Sequence, residues 1–204
     1  MAMLLRELKC PGCGAPLKSK ERDHMLMCSH CGRLSLYAKG TVSPVDFRIA
    51  AAEIENTKAE LVYIPFWIVH GVLDVRSEKI SGGKISRFVK NKKQMRGERD
   101  FYVCAASAVP EEISRVWNMD LTLNQPEITG ISGFKGGKRE VMTMEQGIAG
   151  ENAEFLFLRY ETEIPGTLQG LDYSFTVAST QVLYLPAFKT GTNNYMLGIH
   201  DGND

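Results

Sequence analysis

The run Leu61-Val-Tyr-Ile-Pro-Phe-Trp-Ile-Val-His-Gly-Val-Leu-Asp-Val75 decides the fold. It is rich in β-branched and aromatic side chains, which suit a pleated surface packed on a core. It reads as a buried strand, or as two strands bent at Pro65. Proline has no N–H to give to a ladder, so Pro65 predicts a sheet edge or a bulge.

A second copy of the signature stands far along the chain, Val182-Leu-Tyr-Leu-Pro-Ala-Phe188, with tyrosine and proline in the same register. A weaker echo is Phe101-Tyr-Val-Cys-Ala-Ala-Ser-Ala-Val-Pro110. Such short matches leave two origins open, an internal repeat and the shared apolar alphabet of any two core strands. Between the copies, Pro110 opens a helix that places Ile113, Val116 and Trp117 on one face. Thr143-Met-Glu-Gln146 has the spacing of a capping box, and Met144, Ile148, Phe155 and Leu158 then predict a helix towards residue 163. A strand beginning at Phe155 is the alternative. Leu171 to Tyr184 reads as strand, turn, strand, Asn193-Asn194 as a hairpin turn, and Tyr195 to Ile199 as a last strand. The domain over 61–204 is therefore expected to be α+β and mostly antiparallel.

Upstream, Gly40-Thr-Val-Ser-Pro44 reads as a linker that ends in a helix start, with Ser43 as N-cap and Pro44 in the first helical position. Val45, Ile49, Ala52, Asn56 and Ala59 recur at spacings of three and four, which predicts an amphipathic connector helix over 44–59. The division expected is 1–40, a connector over 41–60, and 61–204.

Four of the five cysteines form two pairs, Cys10-Pro-Gly-Cys13-Gly14 and Cys28-Ser-His-Cys31-Gly32. Two thiolates three positions apart grip one metal ion from a tight turn, and a glycine after the second lets the backbone take a positive φ. Two such turns complete a closed tetrahedral site from Cys10, Cys13, Cys28 and Cys31, with no open position for catalysis. Zinc is the usual occupant of such sites, and a rubredoxin-like iron centre uses the same ligands. Disulfides are the competing use of these residues, favoured only in an oxidising compartment. His24 and His30 lie near a shell that is already full.

Residues 8–38 resemble a zinc ribbon of the transcription-factor-B type, which implies strands near Met25–Met27 and Leu34–Tyr37 and a structural Zn2+ on the four cysteines. The Tyr63-Ile-Pro-Phe-Trp67 and Tyr184-Leu-Pro-Ala-Phe188 strands are similar to those of a loose group of prokaryotic proteins that carry such a domain behind a zinc ribbon. That group has no settled activity, so the resemblance carries over no catalytic residue.

The 204 residues carry no formal net charge, and 44% are hydrophobic and 24% charged, as in an ordinary globular protein. No apolar run approaches the length of a membrane-spanning helix, and MAMLLRELK lacks the apolar stretch of a signal peptide. A cytoplasmic location is expected. The neutrality hides net charges of +4 over residues 1–40, −3 over 41–75, +7 over 76–99 and −8 over 100–204. The basic segment holds Arg76, Lys79, Lys84, Arg87, Lys90, Lys92, Lys93, Arg96 and Arg99, with Phe88 as an aromatic interruption. Lysine and arginine at this density neutralise phosphates. Lys84, Arg87, Lys90, Lys92, Lys93 and Arg96 are the candidate nucleic-acid contacts. An acidic protein surface, an anionic lipid headgroup, or the chain's own acidic half would answer the same charge.

Catalytic constellations are not assembled by the sequence. Gly133-Phe-Lys-Gly-Gly-Lys138 lacks the glycine at 132 and the Ser or Thr at 139 of a phosphate loop and reads as a basic turn. Cys104 sits in an apolar run, His70 and His200 have no second histidine nearby, and Glu151, Glu154, Glu161 and Glu163 read as charged surface. The expected function is a zinc-binding protein that acts as a binding or scaffold module, through nucleic-acid contacts of the ribbon and the 76–99 segment. A protein–protein adaptor and an enzyme of unrecognised class in 61–204 are the alternatives.

Overall fold

The computed structural model describes residues 8–18, 22–54, 58–81, 95–163 and 167–200. Two sheets are present. The first is antiparallel, with β1 (Met25–Met27), β2 (Leu34–Ala38) and β3 (Thr41–Pro44) in that order. The second has six strands: β4 (Phe47–Ile49), β5 (Glu60–Ser81), β6 (Gly97–Cys104), β7 (Lys138–Arg139), β8 (Thr167–Lys189) and β9 (Tyr195–Leu197). Helix α1 (Glu111–Asn124) covers one face and α2 (Gln146–Glu163) the other. The α+β class is as expected, and among the described residues only β4–β8 and β5–β7 pair in parallel.

The deciding run is the middle of β5, and both of its faces are covered. Val62, Ile64, Phe66 and Ile68 pack with Trp117 and Leu121 of α1. Tyr63, Trp67, Val69 and Leu73 pack with Ala149, Ala153, Leu156 and Phe157 of α2. That is why the sequence shows a continuous apolar stretch instead of alternation. At Gly71 an added Cβ would meet the Phe175 ring at 2.6 Å and the Phe101 ring at 2.9 Å, so only glycine fits.

β5 pairs with β8 over its whole length, from Glu60↔Lys189 to Ser81↔Thr167. The two Tyr-x-Pro signatures face each other in this pairing: Tyr63↔Pro186, Ile64↔Leu185 and Pro65↔Tyr184. The surroundings repeat about the Ile64–Leu185 pair. The Tyr63 carbonyl accepts from Glu140 N–H (3.0 Å) and the Tyr184 carbonyl from Ala50 N–H (2.9 Å). The Pro65 carbonyl accepts from Ala105 N–H and the Pro186 carbonyl from Gly198 N–H, both at 2.8 Å.

Pro65 is therefore in a central strand, contrary to the edge or bulge its chemistry predicts. In a strand the N and C=O of one residue point to the same side. The Pro65 nitrogen thus faces the gap between the end of β7 and the end of β6, and no ladder bond is lost. Pro186 sits equivalently between β4 and β9.

The predicted connector helix over 44–59 is not formed by the described residues of that span. Ser43 and Pro44 lie in β3, and Phe47–Ile49 is β4, an edge strand parallel to Val182–Tyr184. Val45, Phe47 and Ile49 also alternate with period two, and burial against β8 selects that period over the helical one. Leu171–Tyr184, read as strand, turn, strand, is one unbroken length of β8. α2 runs to Glu163 as expected, although it buries Ala149, Ala153, Leu156, Phe157 and Tyr160 while Ile148 and Phe155 face solvent. In α1, Trp117 is buried but Val116 is exposed.

β6 is an edge strand, and α1 closes it with side chains. Cys104 N–H donates to Asn118 Oδ1 (2.9 Å), Tyr102 N–H to Thr122 Oγ1 (2.9 Å) and Asp100 N–H to Gln125 Oε1 (3.3 Å). Gln125 Nε2 donates back to the Asp100 carbonyl. The polar row Asn118, Thr122, Gln125 stands in for a missing strand. Thr122→Val keeps the shape of a fully buried side chain and orphans the Tyr102 N–H. Chemical denaturation should show a loss of about 1–3 kcal/mol for Thr122→Val and a clearly smaller one for Thr122→Ser.

Candidate metal centre

The four cysteines converge. One Sγ from each of Cys10, Cys13, Cys28 and Cys31 lies within 4.8 Å of all the others. Across the two turns, Cys10 Sγ is 3.7 Å from Cys31 Sγ and Cys13 Sγ is 3.6 Å from Cys28 Sγ. Sulfurs placed tetrahedrally about 2.3 Å from one ion stand about 3.8 Å apart. The donor set fits a single metal ion.

The two turns are built alike. Gly14 N–H donates to the Cys10 carbonyl and Gly32 N–H to the Cys28 carbonyl, both at 2.9 Å, with φ of 73° and 72° at the glycines. The positive φ expected at these positions is present. The glycine amides close the turn on a carbonyl, however, and the amides that reach sulfur are others, among them that of Gly12, 3.4 Å from Cys10 Sγ.

The sulfurs do not ionise alike. The Gly12 amide lowers the Cys10 thiol pKa, and the Cys31 amide, followed by that of His30, holds Cys28 down to about 6. Cys13 moves the other way, to about 12: its contact with the Ala15 amide is outweighed by burial and by the neighbouring sulfurs. Four thiolates within 4.8 Å of one another repel, and a cation at their centre lets all four lose their protons.

The cysteine sheet is anchored to the large sheet through one buried ion pair. Asp23, 4% exposed and two residues before the start of β1, receives Arg139 Nη2 at 2.6 Å on Oδ2. Its Oδ1 accepts from Met25 N–H (3.0 Å) and Met142 N–H (3.2 Å). Arg139 lies in β7 and reaches Tyr184 Oη at 3.4 Å. The Phe134 ring stands edge-on to both signature tyrosines, 5.3 Å from Tyr63 and 5.0 Å from Tyr184. The Gly133–Lys138 turn thus plugs the centre of the sheet's local two-fold. Met25 and Leu34 extend the same core. Nothing in the sequence singles out Asp23, because its partner lies 116 positions away.

Among the described residues, the other candidates do not join this site. Of the basic segment, Lys84, Arg87, Lys90, Lys92 and Lys93, with Phe88, lie outside the described residues. Arg96 is bound to Glu78 (3.3 Å), Arg76 to Asp172 (2.6 Å), and Arg99 donates to the Thr122 carbonyl (3.0 Å). These three arginines are thus held within the chain. His24 Nδ1 lies 3.1 Å from the Tyr37 carbonyl, and His70 Nδ1 lies 2.9 Å from Asp100 Oδ1. Burial pushes the Cys104 thiol up to about 12, which leaves it inert. Glu154 accepts from Tyr173 Oη and Glu163 from Arg159, while Glu161 is buried.

A groove of about 740 Å³ opens beyond β6, between the start of α1 and the start of α2. Ala105, Val109 and Met144 line it with Ser114 and Thr143, and His24 comes from the cysteine sheet. A smaller recess of about 300 Å³ shares Cys104, Glu111, Ser114 and Met144 with it and leads along α2 to Phe155. Sequence reasoning missed the groove because its walls come from three distant segments.

Comparison of the chain with protein-family models, with curated proteins and with solved structures finds no match. No helix among the described residues is long and apolar enough to cross a membrane.

Asp23→Ala leaves Arg139 buried without its counter-charge. A loss of about 3–5 kcal/mol is expected in denaturant unfolding. Asp23→Ala with Arg139→Met should recover much of it. Equal losses in the single and double variants would show that the pair does not anchor the sheet. Thiol titration at pH 8 should leave Cys104 unmodified until the protein unfolds.

Proposed function

We propose that the protein is a zinc-holding binding module, in which the cysteine sheet is a structural clamp and the groove between α1 and α2 is the surface offered to a partner. The observation that carries this reading is the closure of the donor set. Four sulfurs within 4.8 Å of one another would fill a tetrahedral shell around one ion and leave no position for water or substrate, the arrangement of structural rather than catalytic zinc. Zinc is favoured over iron because a d¹⁰ ion takes tetrahedral thiolate geometry without redox chemistry that the fold would have to shield.

The clamp acts on the groove through adjacent residues. Asp23 ties the cysteine sheet to Arg139, and His24, the next residue, lines the groove while its own N–H donates to the Met142 carbonyl at 2.8 Å. Metal therefore supports both the turns that bind it and the wall they hold in place. An adaptor that presents a groove fits this arrangement better than a nuclease or hydrolase, which needs an open metal position or an assembled nucleophile.

Elemental analysis of the purified protein should find about one zinc ion per chain. Cys10→Ser and Cys28→Ser should each abolish it, and a strong chelator should lower the thermal midpoint of the whole molecule. Metal well below one per chain after anaerobic purification with zinc supplied would refute the zinc clamp. Chelation that removes the metal without moving the midpoint would refute its structural role.

A further inference from the structure

The edges of the six-stranded sheet are guarded unevenly. β6 is closed by the Asn118, Thr122 and Gln125 side chains. β4 and β9 are three residues long each, too short to template much pairing. The outer side of β5 beyond its β6 partner carries Asp74, Arg76, Glu78 and Lys79, charges of the kind that discourage strand addition. One long edge lacks all of these devices.

That edge is the outer side of β8 from Tyr173 to Gln181. β4 covers only Val182–Tyr184 and β9 only Ala187–Lys189, so among the described residues no strand flanks 173–181 on the side away from β5. The register says which backbone groups face out. The Tyr184 and Pro186 carbonyls bond outward, so even positions down to Thr180 face the edge. A bulge opposite His70 and Gly71 leaves Ala178 unpaired and switches the parity, so Val177, Phe175 and Tyr173 face out below it. Arg76 Nη2 closes off the Tyr173 carbonyl at the lower end (3.2 Å).

The side chains along this edge are uncharged. Tyr173-Ser-Phe-Thr-Val-Ala-Ser-Thr-Gln181 contains no Lys, Arg, Asp, Glu or Pro, in a chain where 24% of residues are charged. Val177 is 41% exposed, and Ser174, Thr176, Ala178 and Ser179 are exposed around it. A charged partner strand gains no ion pair from such an edge, and desolvating its own charges costs energy. The complementary strand is therefore neutral, β-branched and hydroxyl-rich, which is the description of the 173–181 stretch of β8 itself. Antiparallel addition about a two-fold sets neutral residues against neutral residues, with the isologous symmetry that most homodimers adopt.

We propose that β8 pairs with β8 of a second copy of this chain, antiparallel about a two-fold near Val177, so that the two six-stranded sheets form one continuous sheet across a dimer. Nothing in this inference requires the metal clamp or the groove.

The test uses the full-length, metal-loaded protein at micromolar concentration in light scattering coupled to size exclusion. The wild type should run as a dimer. Ala178→Lys and Ala178→Glu place like charges against each other near the two-fold, and each alone should run as a monomer. Because Ala178 is exposed and unpaired, circular dichroism and the thermal midpoint at low concentration should match wild type. Mixing the two variants should restore a dimer, since Lys then meets Glu. Amide exchange supplies an independent readout: the Phe175, Val177 and Thr180 N–H groups should be protected in wild type and exchange in either variant alone. A monomeric wild type overturns the proposal, whether those amides exchange rapidly or are protected by another segment of the same chain. A dimer that persists in both variants, or fails to re-form on mixing, overturns it as well.

Discussion

The rest of the molecule is organised by one pairing, β5 against β8, with Ile64 opposite Leu185 at its local centre. Two long strands of nearly continuous apolar character need cover on both faces, and the helices and the cysteine sheet supply it. Their outer flanks need partners too, and four short strands supply those in a two-fold pattern, β7 and β6 beside β5, β4 and β9 beside β8. The prolines mark where one flank partner gives way to the next. The tyrosines two residues earlier send their rings to a common plug, Phe134. The recurrence of Tyr-x-Pro thus reflects one mechanical requirement met twice, the handover of a strand's free flank from a parallel neighbour to an antiparallel one.

Much of this was legible in the residues, and the failures have physical causes. The density of β-branched and aromatic residues over 61–75 gave the central strand, and the paired cysteine turns gave the cluster of four sulfurs, because both signals are local. Pro65 misled because a missing N–H matters only where a neighbour would have used it, and that depends on where β6 and β7 stop. The 44–59 segment misled because Val45 and Ile49 satisfy both a helical spacing and, with Phe47 between them, a strand alternation. Only the parallel contact with Val182–Tyr184 decides between them. The row Asn118, Thr122, Gln125 carried a signal that could have been read: polar residues at spacings of four and three on the side of α1 that faces the sheet. Asp23 carried none, since a carboxylate is worth burying only if a distant arginine arrives to meet it.

Asp23 also explains why the small sheet is more than an appendage. Its two oxygens receive an arginine and two backbone amides from both sides of the junction, so the carboxylate is satisfied only when the cysteine sheet and β7 are both in place. A displaced cysteine sheet would strand a buried guanidinium beside Tyr184, in the buried middle of the β5–β8 pairing. The cysteine cluster at one end of the molecule and the aromatic packing at its middle are therefore linked through this charge pair.

The separation of β5 from β8 in sequence has a consequence for how the chain reaches this state on the ribosome. The two central strands cannot meet until everything between Ser81 and Thr167 has been synthesised, and pairings of such long range close slowly. The cysteine turns, built wholly from residues 8–44, emerge first and can take up their ion while β5 is still without its mate. During that interval Asp23 has no arginine to meet and the apolar face of β5 has no cover. The cysteine unit waits as a preformed seat, and the late arrival of Arg139, then β8, turns a nascent chain with an exposed strand into a closed molecule.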